Sequence, residues 1–172
     1  VVQPQIDITG ANTFCGPSSV LLQGLLYSID TSAIKWQWQF GNGSRSALQN
    51  PAVQQYTTTG NYPVVLTATN SSGCVDTAKT TVFIYAYPTT FAGNDTTICL
   101  NIPLQLQASG ADIYAWQPAS LLSCTDCNNP VATIADNTSL YLRGITNNGC
   151  EKTDTINIIV KKPFVLSGLP AV

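Results

Sequence analysis

Apolar and polar residues alternate with a period of two along several short stretches of the chain. Lys35–Phe40 alternates and ends at the turn Gly41–Gly43, and two later apolar faces run along Tyr62–Ala68 and Ala78–Ile84. Alternation of this kind, bounded by turn residues, predicts half-buried β-strands. Roughly six or seven such strands are typical of an antiparallel sandwich. The weaker stretches with the same pattern are Ile6–Thr9, Ser19–Ser28 and Ala52–Tyr56.

The second half of the chain repeats this order. Tyr114–Trp116 aligns with Trp36–Trp38, and Cys150 follows an Asn-Asn-Gly turn as Cys74 follows Ser-Ser-Gly. A chain of 172 residues is long for one small sandwich and suits two domains of roughly 80 to 90 residues, each with its own core. We therefore predict two paralogous all-β domains followed by a tail or the start of a further module. The predicted boundaries are 1–86, 87–162 and 163–172.

The charge of the chain excludes several classes of function. Only 9% of the residues are charged, the net charge is −2, and histidine is absent. No basic stripe is present to neutralise phosphates, so nucleic acid is not expected as a partner. The missing histidine excludes Ser-His-Asp and Cys-His nucleophiles, and the nine acidic residues are scattered rather than paired. We therefore expect no catalytic residues and no enzyme activity.

The hydropathy of the chain also bears on its location. No stretch of about 18 apolar residues occurs, so direct membrane insertion is not expected. The chain opens without methionine and without a charged and apolar leader. This opening is typical of a mature segment cut from a longer precursor.

The six cysteines fall as one widely spaced pair in each half and one close pair in the second half. An even and symmetrical set predicts disulfides and an oxidising, extracellular location. A C-x-x-C pair is also typical of redox and zinc sites, but zinc needs two further ligands and histidine is absent. Because the internal repeat aligns the wide pairs, we predict that every bridge lies within one half. The predicted pairs are Cys15 with Cys74, Cys99 with Cys150, and Cys124 with Cys127.

No cofactor or metal site is predicted. The weak alternative is a structural calcium ion at a domain edge, since carboxylates and backbone carbonyls are the ligands that calcium prefers. Its ligands would come from Asp95, Asp112, Asp126 or Asp136, which belong to no dense acidic loop.

The aromatic residues have two possible roles. A platform for stacking sugars is one, because aromatic faces suit the apolar faces of pyranose rings. Core packing is the interpretation we favour, because Trp38 and Phe40 share one face of their strand. We favour core packing for Trp36, Tyr114 and Trp116 as well.

The first half resembles the PKD domain family in its ordered motifs. Trp38-Gln-Phe-Gly-Asn-Gly43 resembles the family's W-D-F-G-D-G, and Gly60-Asn-Tyr-Pro-Val-Val-Leu66 resembles its G-x-Y-x-V-x-L. The resemblance covers about residues 3–86 and implies a seven-stranded, immunoglobulin-like sandwich. Gln39 and Asn42 replace the family's two aspartates, so no role of those acids carries over. The implied motif and core residues, including the counterpart in the second half, are Trp38, Phe40, Gly41, Gly43, Tyr62 and Trp116.

The second half looks like the immunoglobulin- and PKD-like repeats of very large surface proteins of Bacteroidota. The resemblance rests on Ala92–Cys99, Trp116–Pro118, Leu122–Cys127 and Asn129–Ala132. Those proteins include gliding-motility adhesins, in which arrays of such repeats precede a region exported by type IX secretion. The resemblance implies an extracellular segment tethered at the cell surface, with neighbouring repeats of the same chain as partners.

These observations lead to one functional hypothesis and one rival. The hypothesis is a non-enzymatic, disulfide-braced spacer or stalk segment of a large cell-surface adhesin. The rival is a binding module that recognises a carbohydrate or another protein through its loops or a sheet face. A contiguous exposed aromatic patch would favour the rival.

Overall fold

The computed structural model describes residues 3–27 and 34–163 and divides the chain into two compact units, Val1–Ala86 and Tyr87–Val172. Within the described residues, regular structure is β apart from one 3₁₀ turn, Ala119–Leu121. The predicted all-β class with tandem immunoglobulin-like sandwiches is confirmed. The predicted tail, Phe164–Val172, lies outside the described residues.

The first unit places a five-stranded sheet against two strand pairs. The large sheet has the order β2-β9-β8-β5-β6, and the pairs are β1–β4 and β3–β7. Alternating residues of both layers meet between the sheets, and the largest of them are Trp38, Phe40, Tyr56 and Leu66. The strands are β1 Ile6–Thr9, β2 Thr13–Cys15, β3 Ser18–Val20, β4 Gln23–Leu26, β5 Lys35–Gln39, β6 Arg45–Ser46, β7 Gln54–Tyr56, β8 Gly60–Thr69 and β9 Val75–Tyr85.

The second unit repeats this plan with fewer strands. Its larger sheet has the order β10-β15-β14-β12, and β11 pairs with β13. Trp116 occupies the centre of its core with Leu140, Leu142 and Ile158. The strands are β10 Thr96–Cys99, β11 Leu104–Gln105, β12 Ile113–Gln117, β13 Val131–Ala132, β14 Thr138–Ile145 and β15 Glu151–Lys161.

One predicted strand, Ser19–Ser28, is two strands in the structure. The in-out alternation continues from Val20 through Gly24, but β3 pairs with β7 whereas β4 pairs with β1. Alternation sets the face to which a side chain points and does not set the strand's hydrogen-bond partner. Ser28 itself lies outside the described residues.

The expectation of purely antiparallel pairing is wrong at two places. In the first unit the entering chain pairs as β1 with β4 and then crosses to the larger sheet, where β2 runs parallel to the last strand. In the second unit Phe91 makes an isolated bridge to Ser109 before the chain crosses and β10 runs parallel to β15. The crossing in the first unit is at Gly10, which has φ +134° and approaches the Leu21 carbonyl so closely that a Cβ would clash with it. Gly93, with φ +105°, occupies the crossing in the second unit. Only glycine readily adopts such a backbone, so each crossing is fixed by its sequence.

Candidate functional site

The parallel pair of the first unit joins its early strand β2 to its last strand β9. Thr13 lies opposite Phe83, and Cys15 lies opposite Tyr85. The pair is closed at one end by the Phe83 amide, which donates to the Asn12 carbonyl at 2.7 Å. At the other end the Gly16 amide donates to the Tyr85 carbonyl at 2.8 Å. These hydrogen bonds hold the strand that enters the unit against the strand that leaves it.

The second unit makes the same pairing with β10 and β15. Thr96 lies opposite Ile158 and Cys99 opposite Lys161, and the Leu100 amide continues the ladder to the Lys161 carbonyl at 3.0 Å. In both units the two strands run in the same direction. Opposed pulls on the start of the first strand and the end of the last strand therefore shear all of these hydrogen bonds together, whereas a hairpin pulled from its open end releases its bonds in succession.

Aspartate side chains add further bonds between the entering segment and the last strand. An Asp76 carboxylate oxygen accepts a hydrogen bond from the Ile6 amide at 2.9 Å, and one of Asp154 accepts from the Ala92 amide at 2.8 Å. The arrangement recurs in both units although the two aspartates stand at different distances from the preceding cysteine. Buried or half-buried amides of this kind need a partner once they leave water.

Asp95 also links the start of β10 to β15, but here the aspartate lies on the entering segment and the donors lie on the last strand. Its Oδ1 accepts a hydrogen bond from the Asn157 amide at 2.8 Å, and its two oxygens lie 3.2 and 3.0 Å from the Asn157 side-chain nitrogen. These bonds, first from the backbone and then from the side chain, lower the pKa of the Asp95 carboxyl. The charged form of Asp95 is therefore the form that holds β10 to β15.

The repeated glycine-cysteine motif builds the same turn in both units. The Asn70 amide donates to the Cys74 carbonyl at 3.0 Å, and the Thr146 amide donates to the Cys150 carbonyl at 2.8 Å. Each turn contains a glycine in the left-handed region, with φ +83° in the first unit and +82° in the second. The motif seen in the sequence is therefore the turn that leads into the last strand of each sandwich.

Two of the predicted disulfides are wrong. Cys74 and Cys99 are free thiols, so neither Cys15–Cys74 nor Cys99–Cys150 is formed. Cys15 lies beside the end of β9 at Tyr85, whereas Cys74 directly precedes its start at Val75.

Strand length explains this correction. Eleven residues at about 3.3 Å each separate Cys74 from Tyr85 by about 36 Å, and the same distance along β15 separates Cys150 from the Lys161 that lies beside Cys99. A disulfide requires Cα atoms within about 7 Å of each other. The internal repeat identifies which cysteines are equivalent in the two units. In the structure, however, the two members of each predicted pair lie at opposite ends of one long strand.

The close cysteine pair does form a bridge. Cys124 and Cys127 are disulfide-bonded with their Cα atoms 6.0 Å apart. The loop that they close is fastened to β12, because the Trp116 amide donates to the Thr125 carbonyl at 2.8 Å and the Trp116 indole donates to the Cys127 carbonyl at 3.0 Å. This bridge shapes a loop along the free edge of a sheet.

The PKD-type motif residues lie in and around the core of the first unit. Trp38 and Phe40 are fully buried, and their rings stack with centroids 5.3 Å apart. Gly41 has φ +75°, and a Cβ there would lie 2.7 Å from the Pro63 carbonyl oxygen, so the turn requires glycine. Gly43 also has a positive φ, of +90°. Tyr62 is half-buried and packs against the same core.

Tyr56 and the motif residue Asn42 have structural roles that the sequence did not reveal. The Tyr56 hydroxyl donates to the Phe40 carbonyl at 2.9 Å inside the core, and burial, followed by the nearby Tyr62 phenol, raises the pKa of Tyr56 to about 12. Asn42, which replaces an aspartate of the family pattern, accepts the Ser44 amide at 3.0 Å and donates to the Gln55 carbonyl at 3.0 Å. An amide at this position joins the turn to β7 through a donor that a carboxylate lacks.

The aspartates considered for calcium are not brought together. Asp95 is bound to Asn157, Asp112 accepts the Asn147 amide at 2.8 Å, and Asp136 pairs with Lys162 at 2.7 Å. Asp126 lies in the disulfide loop. Residues 3–27 and 34–163 hold no group of three acidic, cysteine or histidine side chains that could bind a metal ion. Over the same residues, no helix has the length and apolar character needed to cross a bilayer.

The two sandwiches place the chain among proteins with tandem immunoglobulin-like domains. The eight N-terminal immunoglobulin domains of Down syndrome cell adhesion molecule align with 92% of this chain and 25% of theirs, at 14% identity and a TM-score of 0.53. This likeness concerns the fold alone.

The first unit is a PKD domain, since residues 1–84 match the family model described as "PKD domain". A microbial collagenase of Vibrio alginolyticus is 38% identical over 84 residues, which are 49% of this chain and only 10% of the collagenase. The PKD1 domain of the Vibrio cholerae metalloprotease PrtV is 30% identical, with 49% of this chain and 99% of that domain aligned and a TM-score of 0.42. PKD domains occur as non-catalytic modules of secreted, extracellular multidomain proteins.

Proposed function

We propose that this chain is a non-enzymatic spacer segment of a large adhesin at the cell surface, and that its task is to remain folded under tension. The observation that carries the proposal is the parallel pairing of β2 with β9 and of β10 with β15. Tension along the polypeptide enters each unit ahead of the first of these strands and leaves after the second. The hydrogen bonds between them are then loaded in parallel.

Three further features support this proposal. Each unit has its own buried core, so one unit can unfold and refold without the other. Aspartate side chains reinforce the entering segments in both units. The sequence contains no histidine for acid-base or nucleophilic chemistry at neutral pH.

The surface location and the adhesin rest on resemblance. The second half is similar to the repeats of Bacteroidota surface proteins, including gliding adhesins exported by type IX secretion. In that setting the neighbouring repeats of the same chain are the immediate partners. Antibodies against the 172-residue chain should label intact cells of the source organism, and surface protease should remove the label. Label that appears only in the culture medium would contradict surface attachment.

The mechanical proposal is tested by pulling one unit of the whole chain in two directions. One attachment is at Lys162, directly after β15, in both measurements. The second is at the exposed Asn94, ahead of β10, in the first measurement, and at the exposed Ala135, ahead of β14, in the second. The Asn94–Lys162 pair shears β10 against β15, whereas the Ala135–Lys162 pair opens the β14–β15 hairpin from its open end.

We expect unfolding through Asn94 and Lys162 to require several times the force needed through Ala135 and Lys162. Azide-bearing side chains at these positions give attachments that do not react with the cysteines. Because one attachment and the folded protein are shared, the comparison isolates the direction of loading. Equal unfolding forces would refute a mechanical role for the parallel pair.

A further inference from the structure

The second unit has a groove on the outer face of its larger sheet that plays no part in the strand pairing described above. The groove has a volume of about 520 Å³ and lies between β12, β14 and the disulfide loop. Trp116 and Leu142 point into the core, so their neighbours on the same strands point outward. The outward residues that line the groove are Ala115, Gln117, Tyr141, Arg143 and Thr153.

Three elements fix the shape of this groove. Ala115 lies opposite Arg143, and its small side chain leaves the depression between the larger residues. The loop residues Thr125 and Asp126 form one wall. That wall is held by the Cys124–Cys127 bridge and by the two hydrogen bonds from Trp116. The groove is therefore built from a rigid sheet and a braced loop.

The chemistry of the lining suits a sugar ring. Tyr141 is 55% exposed and offers an aromatic ring in the groove, on which the C–H face of a pyranose can stack. Gln117, Thr125 and Thr153 supply amide and hydroxyl groups that both donate and accept hydrogen bonds, as sugar hydroxyls do. Arg143 donates to Glu151 at 3.2 Å and keeps further N–H donors for a ligand.

The charges around the groove favour a neutral ligand. Arg143 is paired with Glu151, and Asp126 adds a negative charge at the wall. A uronate or another acidic sugar would be repelled by this charge, whereas a neutral hexopyranose would not. We propose that this groove is a binding site for neutral hexopyranosyl glycans.

The first unit supplies a natural comparison. Strand register places Gln37 where the second unit has Ala115, Val65 in place of Tyr141, and Thr67 in place of Arg143. The same sheet position thus carries a longer side chain in place of the small one, and no aromatic ring. A sandwich of this kind does not need the groove residues in order to fold.

This comparison gives substitutions that the sheet accommodates. Tyr141→Val and Ala115→Gln each introduce the residue that the first unit carries at the equivalent position. Tyr27→Val is the matched control, because Tyr27 is 62% exposed in the first unit and lies outside the groove. Amide spectra of the three variants should match those of the parent outside the substituted neighbourhoods, which establishes that each is folded.

The probes are methyl glycosides of glucose, galactose, mannose and N-acetylglucosamine, together with their tetrasaccharides, and methyl glucuronide as the acidic comparison. Binding to the 172-residue chain is measured by saturation transfer and by amide shifts in NMR. At an ordinary binding free energy per non-hydrogen atom, a monosaccharide would bind with a Kd of about 1 mM. Both NMR methods detect binding in this range. The spacer proposal does not depend on the result.

We expect at least one neutral probe to shift amides on β12, β14 and the Thr125–Asp126 loop. Tyr141→Val and Ala115→Gln should each weaken that binding by about tenfold or more, and Tyr27→Val should leave it unchanged. Three outcomes would overturn the proposal: no neutral probe perturbs the groove, only methyl glucuronide binds, or binding survives both groove substitutions.

Discussion

Replacing Trp38 with alanine tests the assignment of the first unit's core. The side chain is fully buried and stacks on Phe40, and its indole N–H donates to the Leu48 carbonyl at 2.9 Å. A buried aromatic of this size removes about 150 to 250 Å² from water, which at about 25 cal/mol per Å² amounts to about 4 to 6 kcal/mol. Alanine retains a little of that burial and the cavity partly relaxes, so we expect a loss of about 3 to 5 kcal/mol.

Hydrogen exchange followed by mass spectrometry on the whole chain measures this loss in each unit separately. Amides of β5, β8 and β9 should exchange roughly a hundredfold to several thousandfold faster in Trp38→Ala, while those of β12, β14 and β15 keep the parent rates. Trp36→Ala is the control, because Trp36 is only half-buried on the same strand and should cost less. A change below about 1 kcal/mol for Trp38→Ala would refute its place at the centre of the core.

Three further predictions follow from the strand pairs and turns. Because the folded-state pKa of the Asp95 carboxyl is lowered by Asn157, the stability that it contributes is present above its unfolded pKa and is lost as pH falls through the folded pKa. Urea midpoints measured from neutral to acid pH should therefore fall more in the parent than in Asp95→Asn, and parallel curves would contradict this. Gly149→Ala should lower the free energy of unfolding in urea by about 1 to 2 kcal/mol, because φ is +82°. Beyond the two adjacent residues no atom lies within 4 Å of the new Cβ, so a neutral result would mean that the turn adopts another backbone conformation. Maleimide labelling of the native protein with peptide mapping should modify Cys99, which is exposed, faster than the half-buried Cys74, and a bridged peptide containing either residue would contradict the free thiols.

The long strands could be predicted from the sequence because each carries enough alternating residues to define a face. β8 and β9 are ten and eleven residues long, and their apolar faces match the predicted ones. β2 has only three residues and β10 only four, which is too short for a period to be recognised. Their parallel partners also lie far away in the sequence, so no local signal indicates the pairing.

The cysteine pairing was predicted wrongly and the groove was not predicted, for a related reason. Alignment of the two halves identifies Cys15 with Cys99 and Cys74 with Cys150, but equivalence between repeats carries no distance within a repeat. The groove around Tyr141 depends on the register of two strands and on a loop that lies along the edge of one of them. The alternation indicates that Tyr141 faces outward, yet it does not reveal what stands beside it.

The tryptophan at the centre of each sandwich has a consequence for how such repeats diverge. In both units its indole N–H reaches out of the core to one carbonyl of the following loop, at Leu48 in the first unit and at Cys127 in the second. Between the indole and that carbonyl, the first unit has the short strand β6, whereas the second has a 3₁₀ turn and a disulfide. The same indole hydrogen bond therefore holds loops of unrelated sequence and secondary structure. This segment can be exchanged between sandwiches, and a loop with a new binding specificity can be grafted there without changing the core beneath it.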